Sequence, residues 1–247
     1  MKRLILALLL LLPLPGAAEE IVAGLSQSSV SITADYAGSE ILIYGAVKRE
    51  APIAPGRGLR VIITVEGPRL PIVVRRKERS WGIWMNDDRL RPGPVPSFYA
   101  VASSAPLDVA LLPEEDLRHA ITLPRILRGE DNTAQPFLDA VERIGRAEGR
   151  YFVQENSIAL TEETLFRTDV GLPSDLTEGN YTVRLFLTRE GRVIDEVKRT
   201  IWVRKAGLER FLYEAAHQWP LLYGLASLML AGLAGWGAAA LFARLRW

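Results

Sequence analysis

The sequence predicts a mainly β fold, with one or two antiparallel β-sandwich modules, a helical insertion and one C-terminal transmembrane helix. Three observations predict it. Short runs of alternating polar and apolar residues, separated by Gly and Pro, recur from Ser29 to Val203. A stretch rich in proline and acidic residues interrupts them between positions 113 and 150. An uncharged apolar run, from Leu221 to Phe242, is long enough to cross a bilayer.

Residues 1–18 have the three-part pattern of a secretory signal peptide. Lys2 and Arg3 precede an apolar run that ends at Leu14, and small residues then continue to Ala18. This run is shorter than the roughly 20 residues that a helix needs to span a bilayer. We therefore predict a signal peptide over residues 1–18 that is cleaved after Ala18, with an uncleaved anchor as the alternative.

Composition excludes several classes of protein. The 247 residues include no cysteine, so disulfides, thiolate nucleophiles and Cys-ligated metal sites are excluded. The chain has 30 Lys and Arg against 29 Asp and Glu, and both of its ends carry only basic charges. The region between the ends is therefore slightly acidic, which argues against a nucleic-acid partner.

A first β module is predicted over residues 19–112. Its alternating runs predict six strands, near Ser29–Thr33, Glu40–Val47, Leu59–Glu66, Leu70–Arg76, Trp81–Met85 and Ser97–Ala102. The pair Gly67-Pro68 predicts the turn between the third and the fourth of these strands.

The segment 113–150 is predicted to be helical. Pro113 is followed by three acidic residues, which favour the first turn of a helix, and Pro136 begins a second helix. Four apolar residues share one face of that second helix: Phe137, Leu138, Val141 and Ile144. We interpret it as a cover for one edge or end of the sheet.

A second β module is predicted over residues 151–205, with strands near Tyr151–Gln154, Thr164–Asp169, Tyr181–Thr188 and Arg192–Arg204. The stretch from Asp175 to Val183 resembles the tyrosine corner of an immunoglobulin-type sandwich, with Tyr181 as the corner residue. We therefore predict two immunoglobulin-like sandwich modules bridged by helices. The alternative is a single larger sandwich with a helical insertion, which fits the pattern nearly as well.

The C-terminal region is predicted to consist of a membrane-proximal helix (206–219), a transmembrane helix (220–243) and a cytoplasmic tail (244–247). Arg244 and Arg246 place the tail on the cytoplasmic side by the positive-inside rule. The expected location is thus the inner membrane, crossed once, with the N-terminal domain periplasmic.

Small residues recur on one face of the predicted span, at Gly224, Ala231, Gly235 and Ala239. Such a stripe lets two helix backbones approach closely, and we name it as a candidate helix-packing face. A plain lipid anchor is the alternative, because small residues also occur in single spans without a packing role.

The sequence contains no recognisable catalytic motif, and we predict a protein that is not an enzyme and that needs no cofactor or metal. Its two histidines are His119, in a short charged helix, and His217, beside the predicted span. The run Asn86-Asp87-Asp88 could offer oxygen ligands to calcium, but it is more typical of a turn that ends a strand.

A basic and aromatic cluster is the candidate partner surface: Arg75, Arg76, Lys77, Trp81 and Trp84. The alternatives are an exposed edge strand protected by charge and a surface for anionic headgroups.

Several stretches of the chain resemble the putative transmembrane protein family of alphaproteobacteria. They include Glu66-Gly67-Pro68, Trp81-Gly82-Ile83-Trp84-Met85-Asn86, Ala102-Ser103-Ser104-Ala105-Pro106-Leu107 and Pro220-Leu221-Leu222-Tyr223-Gly224. The resemblance covers nearly all of the mature chain and implies a signal peptide, an exported domain and one C-terminal span. It also implies an accessory role at an inner-membrane transporter, and it provides no catalytic residues.

Two functions are consistent with these features. The first is a membrane-anchored periplasmic interaction module whose partners are the lipid bilayer and another membrane or envelope protein. The alternative is a periplasmic small-anion sensor or binding subunit, since aromatic residues near basic ones suit anionic ligands.

Overall fold

A computed structural model describes residues 19–32, 38–49, 58–128, 135–205 and 215–245. The described residues fall into two compact units. The β unit lies within residues 1–30 and 36–203, and the C-terminal unit includes residues 31–35 and 204–247. The predicted signal peptide lies outside the described residues.

The described part of the chain is mainly β, as predicted. Its strands are β1 (Glu19–Leu25), β2 (Ser29–Ile32), β3 (Ser39–Arg49), β4 (Leu59–Glu66), β5 (Arg69–Pro71), β6 (Val74–Ser80), β7 (Ile83–Leu90), β8 (Pro94–Pro96), β9 (Tyr99–Ser103), β10 (Tyr151–Gln154), β11 (Ala159–Thr161), β12 (Leu165–Leu172), β13 (Gly179–Arg189) and β14 (Arg192–Lys205). The helices are α1 (Leu107–Ala110), α2 (Pro113–His119), α3 (Leu123–Ile126), α4 (Gln135–Ala147) and α5 (Pro220–Leu245).

A four-stranded antiparallel sheet has the order β1-β3-β12-β11. Buried and exposed residues alternate strictly along β12, so this strand buries one side only. Its buried residues include Phe166 and Val170, and Ile41 and Ile43 are buried on the neighbouring β3. The sheet therefore has one face packed against the interior of the β unit.

A six-stranded sheet has the order β10-β9-β4-β13-β14-β2. Its β9 and β10 run parallel, with Tyr99 opposite Tyr151, which corrects the prediction of a purely antiparallel sandwich. Parallel neighbours cannot be joined by a tight turn and need a long crossover. Helices α1 to α4 lie between these two strands in the chain, so the helical segment is that crossover.

The six-stranded sheet is covered on both faces. One face contributes Ile62, Tyr99 and Phe186 to a core that also contains residues of the helical segment, such as Ile121 and Leu138. Residues of opposite parity, such as Ile63 and Leu185, are also fully buried. Contacts join β1 to β13 and β12 to β9, which places the four-stranded sheet against that second face.

The two predicted β ranges are interleaved in these sheets. Strand β3 from the first range pairs with β12 from the second, and β4 pairs with β13. Strands of both ranges thus lie in one compact unit. The hydroxyl of Tyr181 donates a hydrogen bond to the Thr177 carbonyl oxygen at 3.0 Å, the kind of contact that a tyrosine corner makes.

The C-terminal unit contains one helix that is long and apolar enough to cross a membrane. The candidate span is Pro220–Ala243, with 24 residues and a mean hydropathy of 1.8, and it covers the same residues as the predicted range 220–243. Helix α5 continues to Leu245, two residues into the predicted tail. Of the predicted membrane-proximal helix, residues 206–214 lie outside the described residues, and Ala215–Gln218 are helical.

Candidate functional site: a basic and aromatic hairpin

Strands β6 and β7 form a hairpin that contains the whole candidate partner surface. Its turn is the pair Trp81-Gly82, with φ of 53° and 82°. Positive φ at both central residues is the signature of a type I′ turn, which matches the twist of a two-residue hairpin. Gly82 suits this conformation, whereas a tryptophan there incurs a steric cost of about 1–2 kcal/mol.

The end of the hairpin is apolar and exposed. Trp81 is 99% exposed, and next to it Ile83, Trp84 and Met85 are 67%, 66% and 46% exposed. The end of the hairpin thus exposes four large apolar side chains, with Trp84 on one face of β7 and Ile83 and Met85 on the other. We call these four residues the hairpin tip.

One face of the hairpin is basic. The register places Arg75 opposite Arg89 and Arg79 opposite Trp84, and Lys77 lies between them on the same strand face. The basic side chains on this face are all exposed. Arg76, which the sequence grouped with its neighbours, lies on the opposite face because side chains alternate along the strand.

The structure corrects the prediction for Asn86-Asp87-Asp88. These residues continue β7 instead of ending a strand, and the register shifts where Arg76 and Lys77 pair with Asp88 and Asn86. The extra residue is a β-bulge, a feature that increases local twist and lets a strand continue past an irregularity.

A cleft lies between β6 and α4 and has a volume of about 320 Å³. Four basic residues line it: Arg75, Arg76, Lys77 and Arg143. Its apolar lining consists of Val74, Pro136, Phe137, Ala140 and Ile144. Among the described residues that line the cleft none is acidic, so it is an electropositive groove with an apolar wall.

The sequence prediction missed part of this site. Arg79 and Arg89 on the basic face and Arg143 in the cleft were not identified as candidates. The alternation of β6 indicates Arg79, but Arg89 requires knowledge of the bulge, and Arg143 requires knowledge of where α4 packs.

The side chain of His119 contacts two carboxylates and an aromatic ring. Its Nδ1 atom lies 3.3 Å from Glu196 Oε2, and its Nε2 atom lies 3.6 Å from Glu115 Oε2. Its ring also packs edge-on against Phe186. Within the described ranges, no group of three or more His, Asp or Glu residues is arranged to hold a metal ion.

The candidate helix-packing face lies on α5. Gly224, Ala231, Gly235 and Ala239 fall within about 80° of one another at 100° per residue. A Cβ atom added at Gly224 or Gly235 would have no neighbour within 4 Å. The stripe is therefore open along the described chain.

Comparison with known proteins gives one family. A family model described as "Putative transmembrane protein" matches residues 20–244. No curated protein gives a significant sequence match. Among solved structures, the sporulation control protein Spo0M from Bacillus subtilis is 11% identical with a TM-score of 0.28, covering 81% of this chain and 55% of that chain. The chain thus spans little more than half of the length of that structure.

Proposed function

The chain belongs to this family of putative transmembrane proteins, and we propose on that basis that it is a membrane-anchored interaction module rather than an enzyme. In this proposal α5 crosses the inner membrane once and the β unit lies in the periplasm. The basic residues that follow the span support this orientation, as does the signal-peptide pattern of residues 1–18. We also propose that the β unit is an immunoglobulin-like sandwich, and the hydrogen bond of Tyr181 to Thr177 supports this.

The observation that carries the proposal is the exposed tryptophan at the hairpin tip. Trp81 keeps 99% of its surface in solvent and holds a positive φ. A side chain that contributes no packing and strains the backbone does not stabilise the hairpin. Such a residue is explained by contact with a partner, because buried tryptophans supply much of the binding energy at interfaces.

The proposed partner is another membrane or envelope protein, and an inner-membrane transporter is the partner that the family resemblance suggests. The hairpin tip would supply the apolar centre of the interface. The exposed basic side chains of Arg75, Lys77, Arg79 and Arg89 would surround it and select an acidic partner surface.

The test is crosslinking in intact cells, followed by purification of the full chain in mild detergent and mass spectrometry. Trp81→Asn removes the apolar side chain and creates the Asn-Gly pair that a type I′ turn prefers. We expect this variant to lose the partner while its free energy of unfolding rises by about 1 kcal/mol.

The matched control is Leu117→Ala on α2, since Leu117 is 64% exposed and lies away from the hairpin in sequence. This variant should recover the partner as the natural chain does. Recovery of an uncrosslinked monomer from the natural chain would contradict the proposal, as would undiminished capture by Trp81→Asn.

A further inference from the structure

We propose that the cleft between β6 and α4 binds an extended, acidic peptide segment that adds a strand to β6. This inference rests on the proposed function, because it specifies how part of a protein partner is held. It concerns the base of the hairpin and one face of α4 and shares Arg75 and Lys77 with the proposed function. The apolar centre of the proposed function, the hairpin tip, lies outside the cleft.

The lining of the cleft shows that it lies along the edge of the strand. Side chains of consecutive strand residues point to opposite faces, so a cavity over one face would be lined by every second residue. Four consecutive residues line this cleft, from Val74 to Lys77. Within the described residues β6 pairs with β7 alone, so its other edge has no strand partner.

An open strand edge offers backbone N–H and C=O groups to an incoming chain. Strand addition uses these groups for affinity and uses side-chain pockets for specificity. Four residues of β6 would pair with about four residues of a peptide, since both rise about 3.3 Å per residue. The cleft volume of about 320 Å³ is in the range of small ligand sites.

Charge determines which peptide fits. The cleft is lined by Arg75, Arg76, Lys77 and Arg143, and by no acidic residue among those described. A second copy of β6 would bring its own basic residues to the same edge, so like charges disfavour pairing between copies. An acidic strand would bring its carboxylates to the basic side chains of Arg75, Lys77 and Arg143 and form charge-assisted contacts with them.

Helix α4 supplies the apolar wall. Its residues Phe137, Ala140 and Ile144 recur at helical spacing along the cleft. The side chains of an added strand alternate between its two faces, so apolar residues of the peptide can face this wall while acidic ones reach the basic side chains. A segment of alternating acidic and apolar residues is therefore the best match.

The experiment measures fluorescence anisotropy of labelled peptides with the full chain in detergent micelles. The probe is a hexapeptide of alternating glutamate and valine. The first comparison peptide is a lysine–valine hexapeptide. The other two are forms of the acidic hexapeptide in which every second amide nitrogen is methylated, one form for each of the two alternating sets of amides. N-methylation keeps the charge but removes the donors of a strand ladder. We expect the acidic peptide to bind at least about tenfold more tightly than the lysine peptide and than one of the N-methylated forms.

Two variants and one control locate the site. Arg143→Glu should weaken binding of the acidic peptide by at least about tenfold, because it removes a cation and adds a repulsive charge. Arg146→Glu is the control on the same helix, since Arg146 does not line the cleft and pairs with Glu142 at 2.9 Å. Ala140→Trp should block the cleft without changing its charge, and circular dichroism checks the folding of all three.

Several results would overturn the inference. Equal binding of the acidic peptide and both N-methylated forms would show that charge alone is recognised. Binding of naphthalenesulfonate, lost in Arg143→Glu while no peptide binds, would assign the cleft to a small organic anion instead. Failure of peptide binding while Trp81-dependent capture persists would overturn this inference alone, and the reverse pattern would overturn only the proposed function.

Discussion

At the scale of single residues, Trp81 and Tyr99 illustrate opposite roles of an aromatic side chain. Trp81 is almost fully in solvent on a strained turn, whereas Tyr99 is fully buried in the six-stranded sheet. The hydroxyl of Tyr99 donates a hydrogen bond to the Ile121 carbonyl oxygen at 2.7 Å, which ties the helical segment to the sheet. Arg184 supports the same junction by donating to the carbonyl oxygens of His119 and Ala120.

Burial makes the stability of the β unit sensitive to alkaline pH. Desolvation raises the pKa of Tyr99 to about 12, against the positive charge of Arg184, which lowers it. The unfolded chain releases this proton near pH 10, so the contribution of Tyr99 to stability is complete below pH 10 and is lost as the pH rises towards 12. The full loss is about 3 kcal/mol.

Urea titration of the full chain in detergent at pH 8 to 11 measures this effect. Tyr99→Phe should flatten the dependence above about pH 10, and it should cost about 1–2 kcal/mol at pH 8 because the Ile121 carbonyl loses its donor. Some slope should remain, since burial also raises the pKa of Tyr151. An unchanged slope in Tyr99→Phe would contradict the assignment.

The residue types of the hairpin surface and the alternation along β6 could be predicted from the sequence, but the residues that β7 adds to each face could not. Arg75, Lys77 and Trp84 do share a face, yet Arg76 lies on the other one, and Trp81 is in the turn. Alternation predicts faces only while the register is regular. The bulge at positions 86–88 adds one residue, and no local pattern indicates it.

At the scale of elements, strands were predictable wherever alternation was strong. The limits of β4 and β10 match the prediction. The hairpin of β13 and β14 was expected as well, and its turn at Glu190-Gly191 lies between the two predicted strands. Strand β1 was missed because it directly follows the signal-peptide pattern. The parallel pairing of β9 with β10 was missed because alternation shows which face is buried and not which strand is the neighbour.

The packing face of α5 gives a prediction at this scale. Gly235→Ile should weaken self-association of the span or its contact with another helix by about 1 kcal/mol, because a bulky side chain separates the two backbones. Gly237→Ile is the matched control. Gly237 lies about 200° away around the helix, and a Cβ atom at either glycine would meet nothing within 4 Å.

Energy transfer between labelled copies of the chain in lipid vesicles measures this association. The natural chain has no cysteine, so one introduced cysteine can be labelled without interference. Equal transfer in the two variants would show that this face of α5 does not mediate self-association of the chain.

At the scale of the whole molecule, the chain joins a mainly β unit to one helix with the length and composition of a membrane span. The sequence predicts this division because the two parts use different patterns: alternation of period two in the β unit and a continuous apolar run in the helix. The pairing of β3 with β12 joins the two predicted β ranges in one sheet, and local sequence does not encode such long-range pairing.

The proposed orientation can be tested with single cysteines, again because the natural chain has none. Trp81→Cys places a thiol on the exposed hairpin tip, and Trp247→Cys places one beyond the span. The basic residues Arg244 and Arg246 should hold the end of the helix on the cytoplasmic side. A maleimide that cannot cross the inner membrane should therefore label the thiol at position 81 in intact spheroplasts, and the thiol at position 247 only after lysis. Labelling in the reverse order would show that the β unit is cytoplasmic, and the proposed periplasmic interaction would then fail with it.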